Sequence, residues 1–195
     1  NYELGTHLNL FGGKLHADAA VYYMRVRDLQ LSVMAGDYGY GRQMINAGRS
    51  SSCGLELSLR GTALDNRFTW AATYGYTHSQ LLDYEDNQVP FIPTHTFSAM
   101  TDYRIGKFTF GLNVAGNGPT YWDVDNEYRQ KLYATLGAHA MVDFGCIKLN
   151  VWGRNLTDTK YNTMLVNSSI DGTNRSFAQQ GNPLQVGAAL IMHFC

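Results

Sequence analysis

The sequence predicts an all-β chain, and more narrowly an antiparallel transmembrane β-barrel segment of about nine strands. Three observations lead to this prediction. Apolar and polar residues alternate in one segment after another, and short and long connections follow each other in strict alternation. Tyrosine and glycine are abundant, at 13 and 20 residues, whereas charged residues are only 16%. Because side chains alternate between the two faces of a strand, each alternating segment has one apolar and one polar side.

Charge and composition exclude several other classes. The chain has 15 basic and 16 acidic residues and a net charge of −1, so it lacks the basic surface that nucleic-acid binding requires. It contains no run of about 18 apolar residues, and no transmembrane helix is expected. Its first residues do not have the pattern of a signal peptide. The three cysteines lack the spacing of a metal site.

The alternation is clearest between Leu132 and Phe144. The even positions of this segment are apolar or small, whereas Tyr133, His139 and Asp143 belong to the other face. Repeated along the chain, the pattern predicts nine strands. Their expected ranges are 1–10, 14–34, 43–62, 67–83, 95–105, 107–116, 130–144, 146–166 and 183–194.

Strand length and surface chemistry favour a membrane barrel over a soluble sandwich or a lipocalin-type barrel, which also alternate. The predicted strands exceed the usual five or six residues and suit a tilted strand that crosses a bilayer. Hydroxyl groups, His, Asp, Lys and Arg share the polar face, as expected for a wet lumen.

The connections favour the same architecture. Short turns at 11–14, 63–66, 105–107 and 144–146 alternate with long polar stretches at 35–44, 84–94, 116–130 and 167–183. Outer-membrane barrels have short periplasmic turns and long extracellular loops. The short-turn ends of the strands carry the aromatic residues Phe11, Phe68, Trp70, Phe108, Phe110, Phe144 and Phe194. Those that share the parity of the apolar face are expected to form an interface girdle. Nine strands cannot close as single-chain bacterial barrels do, so a fragment of a larger barrel is expected.

Several motifs, in order, resemble the C-terminal part of the barrel of TonB-dependent outer-membrane receptors, of a Bacteroidetes-like type. They are Asn1–Gly5, Ala20–Met24 with Asp28, Asn46–Gly48 leading into Gly54–Leu57, Val89–Thr96, and Val151–Tyr161. The resemblance implies a 22-stranded barrel in the bacterial outer membrane. Residues 1–195 would be its C-terminal portion, without the N-terminal plug domain through which a TonB-type coupling protein acts. It also implies import of a scarce nutrient bound at the outer face.

Asn155 and Asp158, in the last of these motifs, carry side chains that bond readily to nearby backbone. They predict either a bulge within the long eighth strand or an ordinary turn.

No enzymatic constellation is found, and neither a cofactor nor a metal site is predicted. The six histidines are scattered, one to a segment, and the acidic residues Asp123, Asp125 and Glu127 are taken as a solvated loop rather than a Ca²⁺ site.

Transport makes ligand binding the relevant chemistry. Aromatic residues and arginines in the long loops suit flat, anionic or metal-bearing ligands. The candidate ligand-binding residues are Tyr38, Tyr40, Arg42, Phe91, Tyr121, Trp122 and Arg175. A ferric siderophore or other iron complex is the expected ligand. Haem, a corrinoid or a glycan remain open, as do a passive porin and a small structural barrel.

Overall fold

The computed structural model describes residues 1–34, 42–170 and 173–193, which form antiparallel strands joined by turns and loops. Within these ranges no helix is both long and apolar enough to cross a membrane. The described strands are, in chain order, β1 (Tyr2–Leu10), β2 (Leu15–Met34), β3 (Arg42–Ala63), β4 (Phe68–Leu81), β5 (His95–Ile105), β6 (Phe108–Gly118), β7 (Thr120–Tyr121), β8 (Arg129–Gln130), β9 (Tyr133–Asp143), β10 (Ile147–Arg154), β11 (Asn162–Ile170), β12 (Thr173–Gln180) and β13 (Gln185–Met192).

Nine of these strands form a single sheet in the order β1-β2-β3-β4-β5-β6-β9-β10-β13. Each strand pairs antiparallel with the next strand of the sheet along the chain, because β7–β8 and β11–β12 are small hairpins inserted into two of the long connections. The predicted all-β, antiparallel, nine-stranded architecture is confirmed.

The register of the sheet separates the two kinds of side chain. One row across six neighbouring strands consists of Ala17, Leu59, Ala72, Ala99, Val114 and Leu136. A row on the opposite side consists of His7, Asp18, Ser58, Thr73, Ser98, Ala115 and Thr135. We call these two sides the apolar face and the polar face. Since a shift of one residue exchanges the faces, the pattern specifies the register strongly.

The short turns lie at one end of the sheet, which we call the short-turn end, and the long connections lie at the other, the long-loop end. The turns contain residues with positive φ, among them Gly12 at 67° and Gly106 at 58°, a conformation that glycine adopts without steric cost. Near these turns Phe108 and Phe110 stack on the apolar face with ring centroids 6.2 Å apart. Trp70 covers Gly61 on the same face, where an added Cβ would lie 2.7 Å from the ring. Phe194 lies outside the described residues.

Two strands are left with a free side. In the part of the chain that the structure describes, β1 pairs only with β2, and β13 pairs only with β10. Every residue of β1 is exposed. Free N–H and C=O groups along a strand edge invite pairing with a further strand.

The eighth predicted strand is shorter than expected. The expected range is 146–166, but β10 ends at Arg154. The stretch 167–183, predicted to be a loop, is largely a hairpin, because β11 pairs with β12 in a separate sheet. The predicted bulge inside this strand is therefore wrong, and the alternative, a turn, is what forms. The chain leaves the strand at Asn155 and Asp158, whose φ angles are 46° and 47°.

Side-chain bonds from Asn155 and Asp158 explain this turn. The buried amide of Asn155 donates to the carbonyls of Thr159 at 3.0 Å and Asn182 at 2.9 Å, and its oxygen accepts from Thr159 N at 2.9 Å. Asp158 accepts from the backbone N–H of Leu184 at 3.0 Å. The Lys160 ammonium, hydrogen-bonded to Asp158, holds the pKa of that carboxyl below its ordinary value. The turn is thereby joined to the segment that leads into β13.

Asn155→Ala is expected to destabilise the fold by about 1–3 kcal/mol, because it leaves buried backbone groups without their partner. The heat-dependent change in electrophoretic mobility of the folded protein measures this. Asn182→Ala is the matched control, since Asn182 contributes its backbone carbonyl to the contact. Equal heat stability of the two variants would contradict the assigned role.

Candidate ligand-binding site

Two long loops at the long-loop end, 82–94 and 119–132, are bonded into one unit. Phe91 N donates to Tyr121 O at 2.8 Å, and Thr94 N donates to Pro119 O at 2.9 Å. The Asn126 side chain makes the same two hydrogen bonds that a paired strand residue would make. Its oxygen accepts from Gln88 N at 2.7 Å, and its amide donates to Gln88 O at 3.0 Å. These bonds hold the two loops side by side.

A small apolar core supports the loops from below. Ala47, Leu81 and Val89 are buried there. They are packed against partly buried apolar residues from the strands and loops around them: Leu29, Leu31, Tyr84, Ile92 and Val124. Burial of this kind gives the loops a fixed base, which a solvated loop lacks.

An ion pair fastens loop 82–94 to β3. Arg49 donates through its guanidinium to Asp83, with Nη2 2.7 Å from Oδ1, and its backbone N–H donates to Asp83 Oδ2 at 2.7 Å. These hydrogen bonds lower the pKa of Asp83 from its ordinary value of 3.8. Gly48, at φ 73°, allows this close approach, because a Cβ at that position would collide with the Asp83 carboxylate.

The two loops form a cluster that we call the aromatic rim, which consists of Phe91, Tyr121, Trp122 and Arg129. The rings of Phe91 and Trp122 meet edge to face, with centroids 5.7 Å apart, and the Arg129 guanidinium lies 5.8 Å from the centre of Tyr121. Phe91 has a positive φ of 65° and is 47% exposed. An exposed ring and a cation within one cluster are suited to planar or anionic ligands.

The structure brings together three of the seven predicted site residues, namely Phe91, Tyr121 and Trp122. Tyr38 and Tyr40 lie outside the described residues, as does the side chain of Arg42. Arg175 is exposed on β12, in the separate hairpin whose strand β11 approaches β2. Sequence reasoning missed Arg129, whose signal was its position at the end of an aromatic loop.

One acidic residue of loop 119–132, Asp123, has a structural role. Asp123 accepts from the backbone N–H of Glu127 at 3.1 Å and of Tyr128 at 2.9 Å. Such bonds form a local turn. Among the residues that the structure describes, no group of three or more His, Cys, Asp or Glu side chains is arranged to hold a metal ion.

The polar face contains a hollow of about 440 Å³. Small residues, Gly5, Ala20 and Gly75, form part of its lining, and the carboxylates of Glu3 and Glu56 also line it. At its edge His7 and Asp18 are paired at 2.7 Å between Nδ1 and Oδ1. The hollow therefore has an excess of negative charge.

The sheet has one apolar and one polar face, short turns at one end and long, packed loops at the other. These features define a segment of a transmembrane β-barrel. The chain belongs to the TonB-dependent receptor-like β-barrel family, whose model matches residues 1–156. Proteins of this family are transport receptors of the outer membrane. The family predicted from the motifs is confirmed.

Individual relatives agree with this assignment. The chain is 31% identical over 172 residues to the pesticin receptor of Yersinia enterocolitica, covering 84% of this chain and 25% of that protein. The ferric yersiniabactin uptake receptor FyuA of Yersinia pestis superposes with a TM-score of 0.83 at 26% identity, covering 99% of this chain and 29% of that one. The siderophore receptor PiuA of Acinetobacter baumannii, at 22% identity and a TM-score of 0.78, shares the fold over 98% of this chain and 28% of its own. The chain thus spans about a quarter of the length of the curated relatives it matches.

Asp83→Asn is expected to speed the hydrogen exchange of the amides in loop 82–94 by up to about fivefold at neutral pH, because it removes the charge that Arg49 holds. The ion pair contributes in full above the ordinary pKa of 3.8 and is lost as the pH falls through the lowered pKa of Asp83. Wild-type exchange, corrected for its intrinsic pH dependence, should therefore approach that of the variant in acid. Asp86→Asn makes the same charge change in this loop and should alter little; equal effects of the two substitutions would contradict the assigned contact.

Proposed function

We propose that this chain is the C-terminal portion of an outer-membrane receptor that binds a ferric siderophore or other iron complex and imports it with TonB-coupled energy. The observation that carries the proposal is the aromatic rim, which presents Phe91 and Arg129 on a supported base at the long-loop end. Ferric siderophores combine aromatic or chelating groups with negative charge, and they suit stacking and charge-assisted hydrogen bonds. Relatives named as receptors for ferric yersiniabactin and for siderophores support this ligand class.

The two faces of the sheet support a location in the outer membrane. Apolar side chains stay exposed along whole strands of the apolar face, among them Leu57 at 41%, Leu112 at 58% and Val151 at 51%. A soluble protein rarely leaves so continuous an apolar surface uncovered. Lipid covers it in a barrel, and the long-loop end then faces outward.

The remainder of the receptor lies in further sequence. The chain covers about a quarter of its relatives, and β1 and β13 each have a free edge within the described residues. We infer that additional strands close the barrel to 22 and that an N-terminal plug, which carries the contact with a TonB-type coupling protein, packs against the hollow on the polar face. The carboxylates of Glu3 and Glu56 suit cationic side chains of such a plug. The Bacteroidetes-like origin stays a prediction, and the sequence of the gene upstream of Asn1 tests both the plug and the origin.

The ligand class is tested with the full-length receptor, expressed in cells that lack their own siderophore receptors. Ferric citrate, a ferric catecholate, ferric yersiniabactin, haem, cobalamin and an oligosaccharide form the panel, and binding to intact cells is measured for each. We expect an iron–siderophore complex to bind, and we expect Phe91→Ala to weaken its affinity by about tenfold, as loss of a central aromatic contact does.

Phe11→Ala is the matched control, because Phe11 is an exposed phenylalanine at the opposite, short-turn end. If only haem, cobalamin or the oligosaccharide binds, the protein is a receptor of the same family with a different ligand. Uptake of every small solute without saturation, and without dependence on the coupling protein, would instead identify a passive porin.

A further inference from the structure

The short-turn end repeats one combination of residues. Phe11 is 76% exposed and is followed three positions later by Lys14; Leu64 is 58% exposed and is likewise followed by Arg67. A third pair forms between two different turns, where Lys107 meets Phe144, which is 62% exposed. Against these three basic residues, the same four turns contain one acidic residue, Asp65. The end of the sheet therefore presents apolar groups next to positive charge.

The pair of Lys107 and Phe144 is the best defined of the three. The Lys107 ammonium lies 5.6 Å from the centre of the Phe144 ring, within the range of a cation–π contact. Its position is held by the backbone, because Asp143 N donates to Lys107 O at 2.9 Å and so places the two turns side by side.

No carboxylate neutralises Lys107 within the described part of the chain. Asp143, whose backbone N–H contacts Lys107, has a carboxylate that is already bound by Lys148 at 2.9 Å and by the backbone N–H of Gly145 at 2.8 Å. The Lys107 ammonium is thus free to meet an anion from outside the protein.

An apolar surface starts directly below this cation. Phe108 and Phe110, about half exposed, stack on the apolar face. Ile105, Val142 and Leu149 continue the row on which Phe108 lies. A phospholipid is complementary to this surface. Its phosphate would lie at the interface beside the cation, and its acyl chains would lie along the exposed apolar residues.

We propose that the short-turn end binds anionic phospholipid, with the phosphate at Lys107 and the acyl chains against Phe108 and Phe110. Lys14 with Phe11, and Arg67 with Leu64, form weaker sites of the same kind along this edge. The inference rests on the membrane location given under the proposed function. An anionic lipid fits better than a zwitterionic one because the turns have an excess of positive charge. Bound lipid of this kind would fix the position of the barrel along the bilayer normal.

The experiment uses the full-length receptor in detergent, incubated with equimolar phosphatidylglycerol and phosphatidylethanolamine, and native mass spectrometry counts the bound lipids. Lys107→Gln is expected to lower the occupancy of the most tightly retained phosphatidylglycerol by about fivefold relative to phosphatidylethanolamine, because the two weaker sites lose their lipid first. Lys107→Arg should restore it. Lys131→Gln is the matched control, since Lys131 is an exposed lysine at the long-loop end. Heat-modifiable electrophoretic mobility confirms that each variant is folded.

Retention of the phosphatidylglycerol preference in Lys107→Gln, at the level of Lys131→Gln, would overturn the proposal. An equal loss of both lipids would also overturn it, because apolar contact rather than the headgroup would then hold the lipid. Flotation of the wild-type receptor with vesicles separates this failure from that of the proposed function. A receptor that does not float refutes the membrane location and both proposals, whereas one that floats but shows no charge preference refutes only the lipid site.

Discussion

The two-residue period of the strands, carried across the sheet by one register, is the constraint on which the rest of the structure depends. Each antiparallel pair aligns apolar with apolar and polar with polar residues, from Leu4 opposite Val21 in β1 and β2 to Leu149 opposite Leu190 in β10 and β13. A slip of one residue in any pair would turn the polar side chains of that strand towards the apolar face. The cost of such a slip is highest in lipid, where polar groups find no water.

The register also determines where the functional chemistry lies. Successive strands are connected alternately at the short-turn end and at the long-loop end of the sheet, and the connections at the two ends differ in length and composition. At the short-turn end the connections are brief and carry apolar residues beside cations, as an interface with lipid headgroups requires. At the long-loop end, loops 82–94 and 119–132 pack with residues of β2, β3 and β4 around the buried Leu81, and the Asn126 side chain joins the two loops. In the proposed receptor this rim would offer a ligand preorganised contacts, which reduce the free-energy cost of binding.

The alternating pattern was sufficient to predict the nine strands of the main sheet, their antiparallel order and the position of the short turns, because period-two burial is a local property of the sequence. It failed between 146 and 183, where Asn155 ends β10 through bonds to Thr159 and to Asn182, 27 residues further along the chain. A long-range contact of this kind leaves no local signal. The same holds for the rim: Phe91 and Trp122 are visible as loop aromatics, but only the bonds between the two loops place them together, and Arg129 becomes informative only beside Tyr121. Arg175, predicted from its place in the long stretch 167–183, lies on the separate β11–β12 hairpin.

The central claim, that the two faces of this sheet meet lipid and a wet interior, is tested most directly by spin labels placed singly at positions 110 to 115 of β6 in the bilayer-reconstituted receptor. Cys53, Cys146 and Cys195, together with any cysteine elsewhere in the receptor, are first replaced, so that each label is unique. We predict that labels at Phe110, Leu112 and Val114 are relaxed mainly by oxygen, which concentrates in the bilayer. Labels at Gly111, Asn113 and Ala115 are predicted to be shielded from oxygen and more open to a water-soluble nickel reagent or to packed protein. Equal exposure of both sets to water, or oxygen accessibility without a two-residue period, would contradict this claim.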